Sequence, residues 1–410
     1  MKYLRTLVCL IITVLVVSWA GSSKAEEIVV GFSGPLSGPA AEYGQDCVFG
    51  IDMAVKEINA AGGVTVKGKK YTFKLEKLDD RVDPILAKNN ALRFVNQSKA
   101  IAVFNPIATT LGSIMSIPEQ NFIIAAYSSV HIINDKGHPM IINPVPNFVN
   151  YAQQMANVAW ERGWRNAGLV VTLGPYGDGW RKVFTHAWIN KGGRVVADFP
   201  ANYYTETDFS AQLTAALAKK PDFLLVGGPS ATTVLLIEQA RNMGFKGGLV
   251  MIDQAKPDYV AKVLKNMKLL EGMISTCAIG TVPLPAIPVF NKKFVEVYKR
   301  DITSECTINY TLMHVIARAV QAAQSVDPKI VRRNIYKALP VLGDKFPSEF
   351  YNIEDNGVIN NAVTMQFVKN GKFSKVDCVL TFPQTRVEYE KYRKMSKLTE
   401  PGLVRWAPLQ

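Results

Sequence analysis

The chain has few of the residues on which metal and redox sites depend. It contains five cysteines and four histidines in 410 residues, and no CxxC pair occurs. The histidines show no spacing typical of metal ligands. The widely spaced cysteines argue against a zinc or redox motif. We therefore expect no bound metal and no cofactor. Disulfides remain possible in an oxidising compartment, with Cys277–Cys306 the first pair to test, and buried free thiols are the alternative.

The motifs of the common enzyme classes are also missing. No G-x-S-x-G elbow and no HExxH occur, which leaves hydrolases without support. Gly174, Gly177 and Gly179 form a glycine-rich turn, but they read GxxGxG and no P-loop lysine follows. Tyr176 and Asp178 in that turn would crowd or repel a pyrophosphate. These absences predict that the protein is not an enzyme and holds no nucleotide.

Charge gives little sign of a polyanionic partner. Lysine and arginine total 47 against 34 acidic residues, a formal net charge of +13. No long basic run interrupts the chain, so a soluble protein with mixed surface charge is a better interpretation than a nucleic-acid binder. We expect no nucleic-acid partner.

The N-terminus has the pattern of an export signal. Lys2 and Arg5 precede an apolar core at 7–17, which is too short to span a bilayer comfortably. Small residues around Ala25 suit a signal peptidase. We predict a cleaved signal peptide over 1–25. The remaining 385 residues (410 − 25) exceed the size at which single cores stop growing, and this predicts two domains.

The stretch 28–64 organises the rest of the chain. A short apolar strand leads into a turn rich in glycine, serine and proline, and a helix follows whose apolar residues recur at helical spacing. Small residues leave the backbone N–H groups at the helix start uncovered, and Tyr43 adds an aromatic surface. This arrangement suits a small polar ligand, although an ordinary strand-to-helix turn is the alternative.

Strand and helix alternate along most of the remaining chain. Such alternation implies parallel strands flanked by helices on both faces, an α/β fold. The two prolines of NPVPN at 143–147 mark a crossing between domains. Three helices near 289–338 should return to cover the first domain, and Asn370-Gly371 predicts a hairpin. We expect a first lobe of 26–144 plus 279–350, a second lobe of 145–278 plus 351–383, and a C-terminal extension at 384–410.

Candidate ligand contacts follow from this topology. Ligands of open parallel sheets sit beyond the carboxyl ends of the strands, so two such domains facing each other form a cleft. The turns at these strand ends are mostly Gly, Ser, Thr, Asn and Tyr. Such residues hydrogen-bond and stack but supply no nucleophile or acid–base machinery. The cleft is therefore predicted to bind a ligand without transforming it.

Several sequence blocks resemble one known family. They are SGPLSGPAAEYGQDCVFGIDMAVKEINAAGG, DDRVDP, PYGDGW, DFSAQL, QARNMGFKG and EGM. In this order they are similar to the leucine/isoleucine/valine-type (branched-chain amino acid or amide) periplasmic solute-binding proteins of ABC importers. The resemblance implies the type I periplasmic-binding-protein fold, with two Rossmann-like lobes, central parallel sheets and three crossover strands. It also implies a periplasmic monomer that delivers its ligand to permease subunits in the inner membrane.

The family's ligand-binding positions carry over by motif. By this resemblance, the ligand-binding residues of this chain are Tyr43, Ala108, Thr109, Ser128, Ser129, Val130, Tyr176 and Gln254. The family's acidic residue falls near Asp253-Gln254, and Gln254 is the better match. Tyr176 corresponds to the tyrosine that closes over the ligand from the far lobe.

Two of these positions depart from the family pattern. Ala108 lacks a hydroxyl that would donate to a carboxylate, and Gln254 lacks the charge that would pair with an ammonium group. Asp253 could supply that charge. If it points away, an amide, an aromatic carboxylate or another small carboxylate fits better than a branched-chain amino acid. A ligand-sensing periplasmic receptor of the same fold is the alternative function.

Overall fold

Two β-sheets carry the fold in the computed structural model, which describes residues 25–38, 40–118, 121–398 and 404–408. The predicted signal peptide, except for Ala25, lies outside the described residues. Among those that are described, no helix is long and apolar enough to cross a membrane.

The strands are short, as expected for buried parallel sheets. In chain order they are β1 (Glu26–Gly34), β2 (Val64–Val66), β3 (Lys69–Asp79), β4 (Ala102–Asn105), β5 (Ile123–Ala126), β6 (Ile141–Ile142), β7 (Asn166–Val171), β8 (Arg194–Asp198), β9 (Phe223–Gly227), β10 (Gly248–Met251), β11 (Met273–Thr276), β12 (Asn352–Ile353), β13 (Ile359–Asn360), β14 (Val363–Lys369), β15 (Lys372–Phe373), β16 (Asp377–Leu380) and β17 (Val404–Trp406).

Helices occupy most of the connections. They are α1 (Ala41–Ala60), α2 (Pro84–Asn96), α3 (Ala108–Met115), α4 (Ile132–Asp135), α5 (Phe148–Glu161), α6 (Pro175–Asn190), α7 (Ser210–Leu217), α8 (Ser230–Asn242), α9 (Pro257–Leu264), α10 (Ala286–Tyr298), α11 (Ser304–Ala323), α12 (Pro328–Arg333) and α13 (Arg386–Met395). Short 3₁₀ turns lie at Met267–Leu270, Ile279–Thr281 and Ile335–Ala338.

The first lobe is built on a sheet of order β2-β3-β1-β4-β5-β6, in which every pairing except β2–β3 is parallel. Side chains of β1 alternate between its two faces. Ile28, Val30 and Phe32 pack into the core shared with α1 and α11. The opposite face meets Phe94 of α2 so closely that a Cβ on Gly31 would lie 2.5 Å from its ring. Helices therefore cover both faces, as the alternation predicts.

The second lobe is built on a sheet of order β17-β16-β14-β11-β10-β9-β7-β8, with β15 paired to β14. Strand β9 alternates in the same way. Leu224 and Val226 face the core formed with α7, α8 and α9. Phe223 and Leu225 face the core formed with α5 and α6. The fold class is thus confirmed: α/β, with two lobes of mainly parallel strands between helices.

The chain passes between the two sheets three times within the described residues: after β6, after β11 and before β14. The first crossing contains the NPVPN segment. A hydrogen bond of 2.6 Å from Asn361 Nδ2 to the Pro144 carbonyl ties the first and third crossings together. These crossings form the hinge side of the space between the lobes.

Three local expectations differ from the structure. The segment 173–179 is not all turn, because α6 begins at Pro175, where proline at the first helical position favours a helix start. Gly177 lies in the first turn of this helix. A Cβ at this position would lie 1.7 Å from the Thr172 carbonyl oxygen, so only glycine allows the helix to pack this closely. Strand β2 (Val64–Val66) was not predicted from the sequence. The final segment contains α13 and β17, which pairs with β16.

All four described cysteines are free, so the Cys277–Cys306 disulfide is absent. Cys277 Sγ donates to Thr364 Oγ1 at 3.0 Å, and Cys306 Sγ donates to the Thr303 carbonyl at 3.1 Å. Burial raises the pKa of the Cys277 thiol to about 12, which keeps it protonated.

Candidate functional site

A buried polar network fixes the strand-end turns of the first lobe. The Ser33 hydroxyl donates to Asp80 Oδ2 at 3.0 Å, and Asn105 Nδ2 donates to the same oxygen at 3.2 Å. The Thr110 hydroxyl donates in turn to Asn105 Oδ1 at 2.8 Å. Because these groups are almost fully buried, they are held in one arrangement. The turn after β1 and the start of α3 are therefore locked together.

The start of α3 presents Ala108 and Thr109. Ala108 is half-buried and Thr109 is exposed. The residue before them, Ile107, is the N-cap and has no side chain that could accept from the first-turn N–H groups. Ala108 and Thr109 thus offer backbone donors that no capping side chain satisfies.

The turn after β5 carries Ser128, Ser129 and Val130. Asn143 Nδ2 donates to the Ser128 carbonyl at 2.8 Å, and the Ser128 hydroxyl accepts from the Val130 N–H at 3.3 Å. The Ser128 side chain therefore stabilises its own turn. The neighbouring Ser129 side chain instead hydrogen-bonds across the cleft to Asp253 of the second lobe.

Asp253 follows β10 in the second lobe, and several polar side chains around the space between the lobes hydrogen-bond to its carboxylate. The Tyr176 hydroxyl, from the first turn of α6, donates to Asp253 Oδ1. One helical turn later, Trp180 Nε1 donates to the same oxygen at 2.8 Å. With Ser129, three side chains from both lobes converge on this carboxylate.

Two effects oppose each other at Asp253. Burial raises the pKa of its carboxyl group, and the hydrogen bonds from Ser129, Tyr176 and Trp180 lower it. Burial is the larger effect, so the pKa lies above the usual value for aspartate. Burial also raises the pKa of the Tyr176 phenol, and the Asp253 charge raises it further.

Gln254 points to a different partner. Its Nε2 donates to the Tyr204 hydroxyl at 3.2 Å, while its Oε1 is buried and has no hydrogen-bond donor among the described residues. By motif, Gln254 was the better match to the family's acidic residue. In the structure it is Asp253 that hydrogen-bonds with Tyr176 and Ser129. The direction of each side chain depends on the turn after β10, which no periodic pattern reveals.

Tyr43 lies on the first-lobe side of the same space. Its ring meets that of Tyr127 edge to face, with centroids 5.9 Å apart. Burial raises the pKa of the Tyr43 phenol, and the charges of Glu305 and Asp253 add to this rise. Tyr43 is therefore within electrostatic reach of Asp253, although the two belong to different lobes.

A cavity of about 110 Å³ extends from Asp253 toward the hinge. Tyr127, Tyr151, Cys277 and Ala362 are among the residues that line it, and they belong to both lobes or to the crossings. Tyr151 is 8% exposed, and no hydrogen bond to its hydroxyl is found in the described part of the chain. The cavity thus has both apolar and polar walls, Glu349 among them, and Tyr151 places a phenol near the Asp253 carboxylate.

Sequence reasoning missed a second set of contacts between the lobes. Lys256 Nζ, three residues after Asp253, lies 2.9 Å from Asp46 Oδ2 and 3.6 Å from Glu305 Oε2. Lys256 lies in the same turn as Gln254, a predicted ligand contact. Its partners lie more than two hundred residues earlier and about fifty later, so only the tertiary structure reveals them.

Nothing in this arrangement resembles a metal site or a catalytic centre. Within the described ranges, no group of three or more His, Cys, Asp or Glu side chains could hold a metal ion. The converging groups are a carboxylate, hydroxyls, an indole N–H and backbone donors. They can hold a polar molecule between the lobes through hydrogen bonds and charge.

A family model and several known proteins are similar to most of this chain. A family model described as "Periplasmic binding protein" matches residues 27–372. The Leu/Ile/Val-binding protein of Escherichia coli K12 is 26% identical over 291 residues, covering 70% of this chain and 76% of the relative. An amino acid binding protein of Pseudomonas aeruginosa is 26% identical over 258 residues, covering 61% of this chain and 67% of the relative.

Solved structures share the fold at lower identity. A leucine binding protein from Thermotoga maritima superposes with a TM-score of 0.72 at 23% identity, covering 85% of this chain and 98% of its own. A branched-chain amino acid binding protein from Streptococcus pneumoniae, in complex with isoleucine, gives 0.73 at 20% identity, covering 86% and 99%. A solute binding protein from R. palustris in complex with benzoate gives 0.72 at 16% identity, covering 85% and 95%.

Proposed function

This chain belongs to the periplasmic binding protein family, whose members are solute-binding proteins and not enzymes, and on that premise we propose that it captures an amino acid between its lobes. The ligand's ammonium group pairs with Asp253. The lobes close over the ligand, and the closed protein delivers it to the permease subunits of an ABC importer in the inner membrane.

The observation that carries this proposal is the position of Asp253. A half-buried carboxylate that receives donors from both lobes supplies the negative charge that an ammonium group needs on leaving water. Asp253 can therefore supply the charge that Gln254 lacks, which supports an amino acid as the ligand. Gln254 lies in the same turn and stays a proposed ligand contact, but its Nε2 donates to Tyr204 and its Oε1 is buried, so contact with the ligand requires its side chain to turn.

The other contacts divide between the two ends of the ligand. The backbone N–H groups of Ala108 and Thr109 and the turn at Ser128–Val130 receive the carboxylate, so the missing hydroxyl at Ala108 is replaced by backbone donors. Tyr43 and Tyr176 cover the ligand from opposite lobes.

The hinge-side cavity sets the size of the ligand's side chain. Its volume of about 110 Å³ is below the roughly 150 Å³ that accommodates benzene in an apolar protein cavity. A branched aliphatic group of three or four carbons fits, whereas an indole does not. This agrees with relatives that are named for leucine, isoleucine and valine.

The protein acts as a periplasmic monomer once the signal peptide at 1–25 is removed. Its first lobe comprises 26–144 and 279–350, and its second lobe comprises 145–278 and 351–383. The sheet memberships of β1–β6 and of β7–β11, β14 and β16 support this division.

Three compounds that differ by one group each test the ligand assignment. L-Leucine carries both charged groups, 3-methylbutylamine lacks the carboxylate, and 4-methylpentanoate lacks the ammonium. Protein refolded from denaturant, to remove any copurified ligand, is titrated with each compound by calorimetry and melted in its presence. A ligand at one hundred times its Kd stabilises the folded state by about 2.7 kcal/mol.

We expect leucine to bind most tightly, the amine to bind more weakly, and 4-methylpentanoate to give no shift at one hundred times the leucine Kd. Valine and isoleucine should bind, and tryptophan should not. Equal binding of 4-methylpentanoate and leucine would refute the pairing of ammonium with Asp253. Absence of binding by leucine, isoleucine and valine alike would refute the amino-acid class.

A further inference from the structure

A buried ion cluster joins the two lobes beside the ligand site. The Lys256 side chain is 11% exposed, and those of its partners Asp46 and Glu305 are 2% and 4% exposed. Lys256 belongs to the second lobe, whereas Asp46 lies on α1 and Glu305 on α11 of the first. The ammonium group therefore makes both of its ion pairs across the space between the lobes.

The first-lobe half of the cluster is rigid. Helices α1 and α11 pack so closely that a Cβ on Gly50 would lie 2.2 Å from the Cys306 carbonyl oxygen. Asp46 has a second basic partner in its own lobe, because Arg300 lies 3.1 Å from its Oδ1. Glu305 has Lys256 as its one basic partner among the described residues.

The second-lobe half is tied to the ligand site itself. Lys256 and Asp253 belong to one short loop between β10 and α9. The Lys256 N–H donates to Ser230 Oγ at 3.0 Å, and α9 begins at Pro257, so both ends of this loop are anchored in the second lobe. A rigid-body movement that brings Asp253 to Ser129 also brings Lys256 to its two carboxylates.

We infer that Lys256 is a positioning residue for ligand capture: its pairing with Asp46 and Glu305 holds the lobes closed once a ligand bridges them. This inference rests on the proposed capture of the ligand between the lobes, but it does not depend on which ligand is bound. Lys256 acts through the closed arrangement and does not touch the ligand.

The electrostatics explain why the cluster acts on closure. In an open protein, water solvates all three side chains, so their charges are satisfied separately. Closure removes that water, and the charges are then tolerated because they pair. Burial alone would lower the pKa of Lys256, but the charges of Glu305 and Asp46 outweigh it and raise the pKa. Lys256 therefore stays protonated when the lobes are closed, whereas burial raises the pKa of Glu305 and the charge of Lys256 opposes that rise.

Replacement of the Lys256 side chain should destabilise the closed state and leave the open state unaffected. In Lys256→Met, Asp46 keeps Arg300, whereas Glu305 is buried without a basic partner. The open state has no such penalty because Glu305 then faces water. A smaller closed fraction reduces the apparent affinity in proportion.

The test compares wild type with Lys256→Met, with the double variant Lys256→Met/Glu305→Gln, and with Lys262→Met as a matched control. Lys262 pairs with Asp301 at 2.6 Å, but the side chains are 73% and 72% exposed. Small-angle scattering without and with 10 mM L-leucine reports closure. Calorimetric titration with L-leucine reports affinity, and the melting temperature of the ligand-free protein reports folding.

Lys256→Met is expected to bind leucine at least tenfold more weakly and to scatter as a more open particle at any given leucine concentration. Its ligand-free melting should stay cooperative. The double variant should recover part of the affinity, because the unpaired carboxylate is gone but the pairing is not restored, and Lys262→Met should match wild type. Recovery by a second substitution distinguishes the cluster from a general loss of packing.

Unchanged affinity and scattering in Lys256→Met would overturn the inference, and so would a double variant that binds no better than Lys256→Met. If Lys256→Met does not fold, Glu305→Gln alone replaces it and should weaken binding at least threefold. If wild type does not bind leucine, the ligand assignment fails, and the scattering comparison is repeated with 10 mM isoleucine, valine or benzoate. Equal closure of wild type and Lys256→Met with a compound that closes wild type would refute the inference, and so would a wild type that none of them closes.

Discussion

Replacement of Asp253 by asparagine tests the centre of the proposed site. The variant keeps the shape of the side chain and one carbonyl oxygen, which accepts from Tyr176 and Trp180. What it loses is the negative charge opposite the ligand's ammonium group. Loss of one partner from a buried charge pair costs about 2–5 kcal/mol. At 1.4 kcal/mol per decade, this corresponds to a loss of affinity for L-leucine of roughly thirtyfold or more.

The same substitution should have the opposite effect on the protein without ligand. Burial raises the pKa of Asp253, which means that its ionised form is disfavoured in the folded state. A group with a raised pKa stabilises the fold at low pH, and this contribution is lost as the pH rises through its folded pKa. At neutral pH the asparagine variant should therefore melt no lower than wild type, and any advantage should shrink as the pH falls.

The affinity of wild type for the ligand should fall as the pH is lowered. As the pH falls through the raised pKa of Asp253, the carboxylate becomes neutral, and wild type loses affinity for an ammonium ligand. Asp253→Asn should lack this dependence. Calorimetric titrations across the acidic range measure both proteins. Asp178→Asn is the control, because Asp178 lies on α6 with Tyr176 and Trp180 but its side chain is 57% exposed and pairs with Arg181.

Two results would refute this reasoning. One is an Asp253→Asn variant that binds leucine within threefold of wild type at neutral pH. The other is an unchanged loss of affinity at low pH in that variant, since a different group would then be responsible. The affinity for a ligand without an ammonium group should be the same in Asp253→Asn and in wild type.

Further predictions concern the aromatic contact and the packing of the first lobe. Tyr176→Phe keeps the ring but removes a hydrogen bond that lowers the pKa of Asp253. In calorimetric titrations with leucine we expect the loss of affinity at falling pH to begin at a higher pH than in wild type; an unchanged pH profile would exclude this role. Gly50→Ala should destabilise the fold by about 1–3 kcal/mol in urea, because its Cβ would lie 2.2 Å from the Cys306 carbonyl oxygen. Gly112→Ala is the matched control, because open space surrounds this helical glycine and alanine should stabilise by about 0.5–1 kcal/mol. A Gly50→Ala variant as stable as wild type would contradict the close packing of α1 on α11.

Periodic patterns predicted the elements well where one side of an element is buried. The strand, turn and helix predicted within 28–64 correspond to β1 and α1, because short apolar runs and helical spacing of apolar residues act locally. The start of α6 was misjudged for the opposite reason. Gly177 and Gly179 were interpreted as turn residues, but Gly177 is there to let the helix approach the Thr172 carbonyl. Such a contact depends on a neighbour in space, which a local pattern does not contain.

In the candidate site, too, local patterns predicted some residues, whereas packing decided the direction of one side chain. Tyr43, the Ser128–Val130 turn and Tyr176 were predicted from strand ends and motifs, and their assignment to the ligand stays a prediction. The choice between Asp253 and Gln254 was made by motif alone, and the structure directs the carboxylate to Tyr176 and Ser129. The direction of a side chain in a turn is set by the packing of the loop.

By itself, the sequence determined the α/β alternation, the division into two lobes and the absence of recognised catalytic motifs. These properties follow from hydrophobic period, turn residues and composition, all of which are local. Only the tertiary structure decided that Asp253 meets donors from both lobes and that Lys256 pairs with Asp46 and Glu305. Charges separated by some two hundred residues interact only after the lobes are folded and brought together, because Coulomb energy depends on distance in space and on burial.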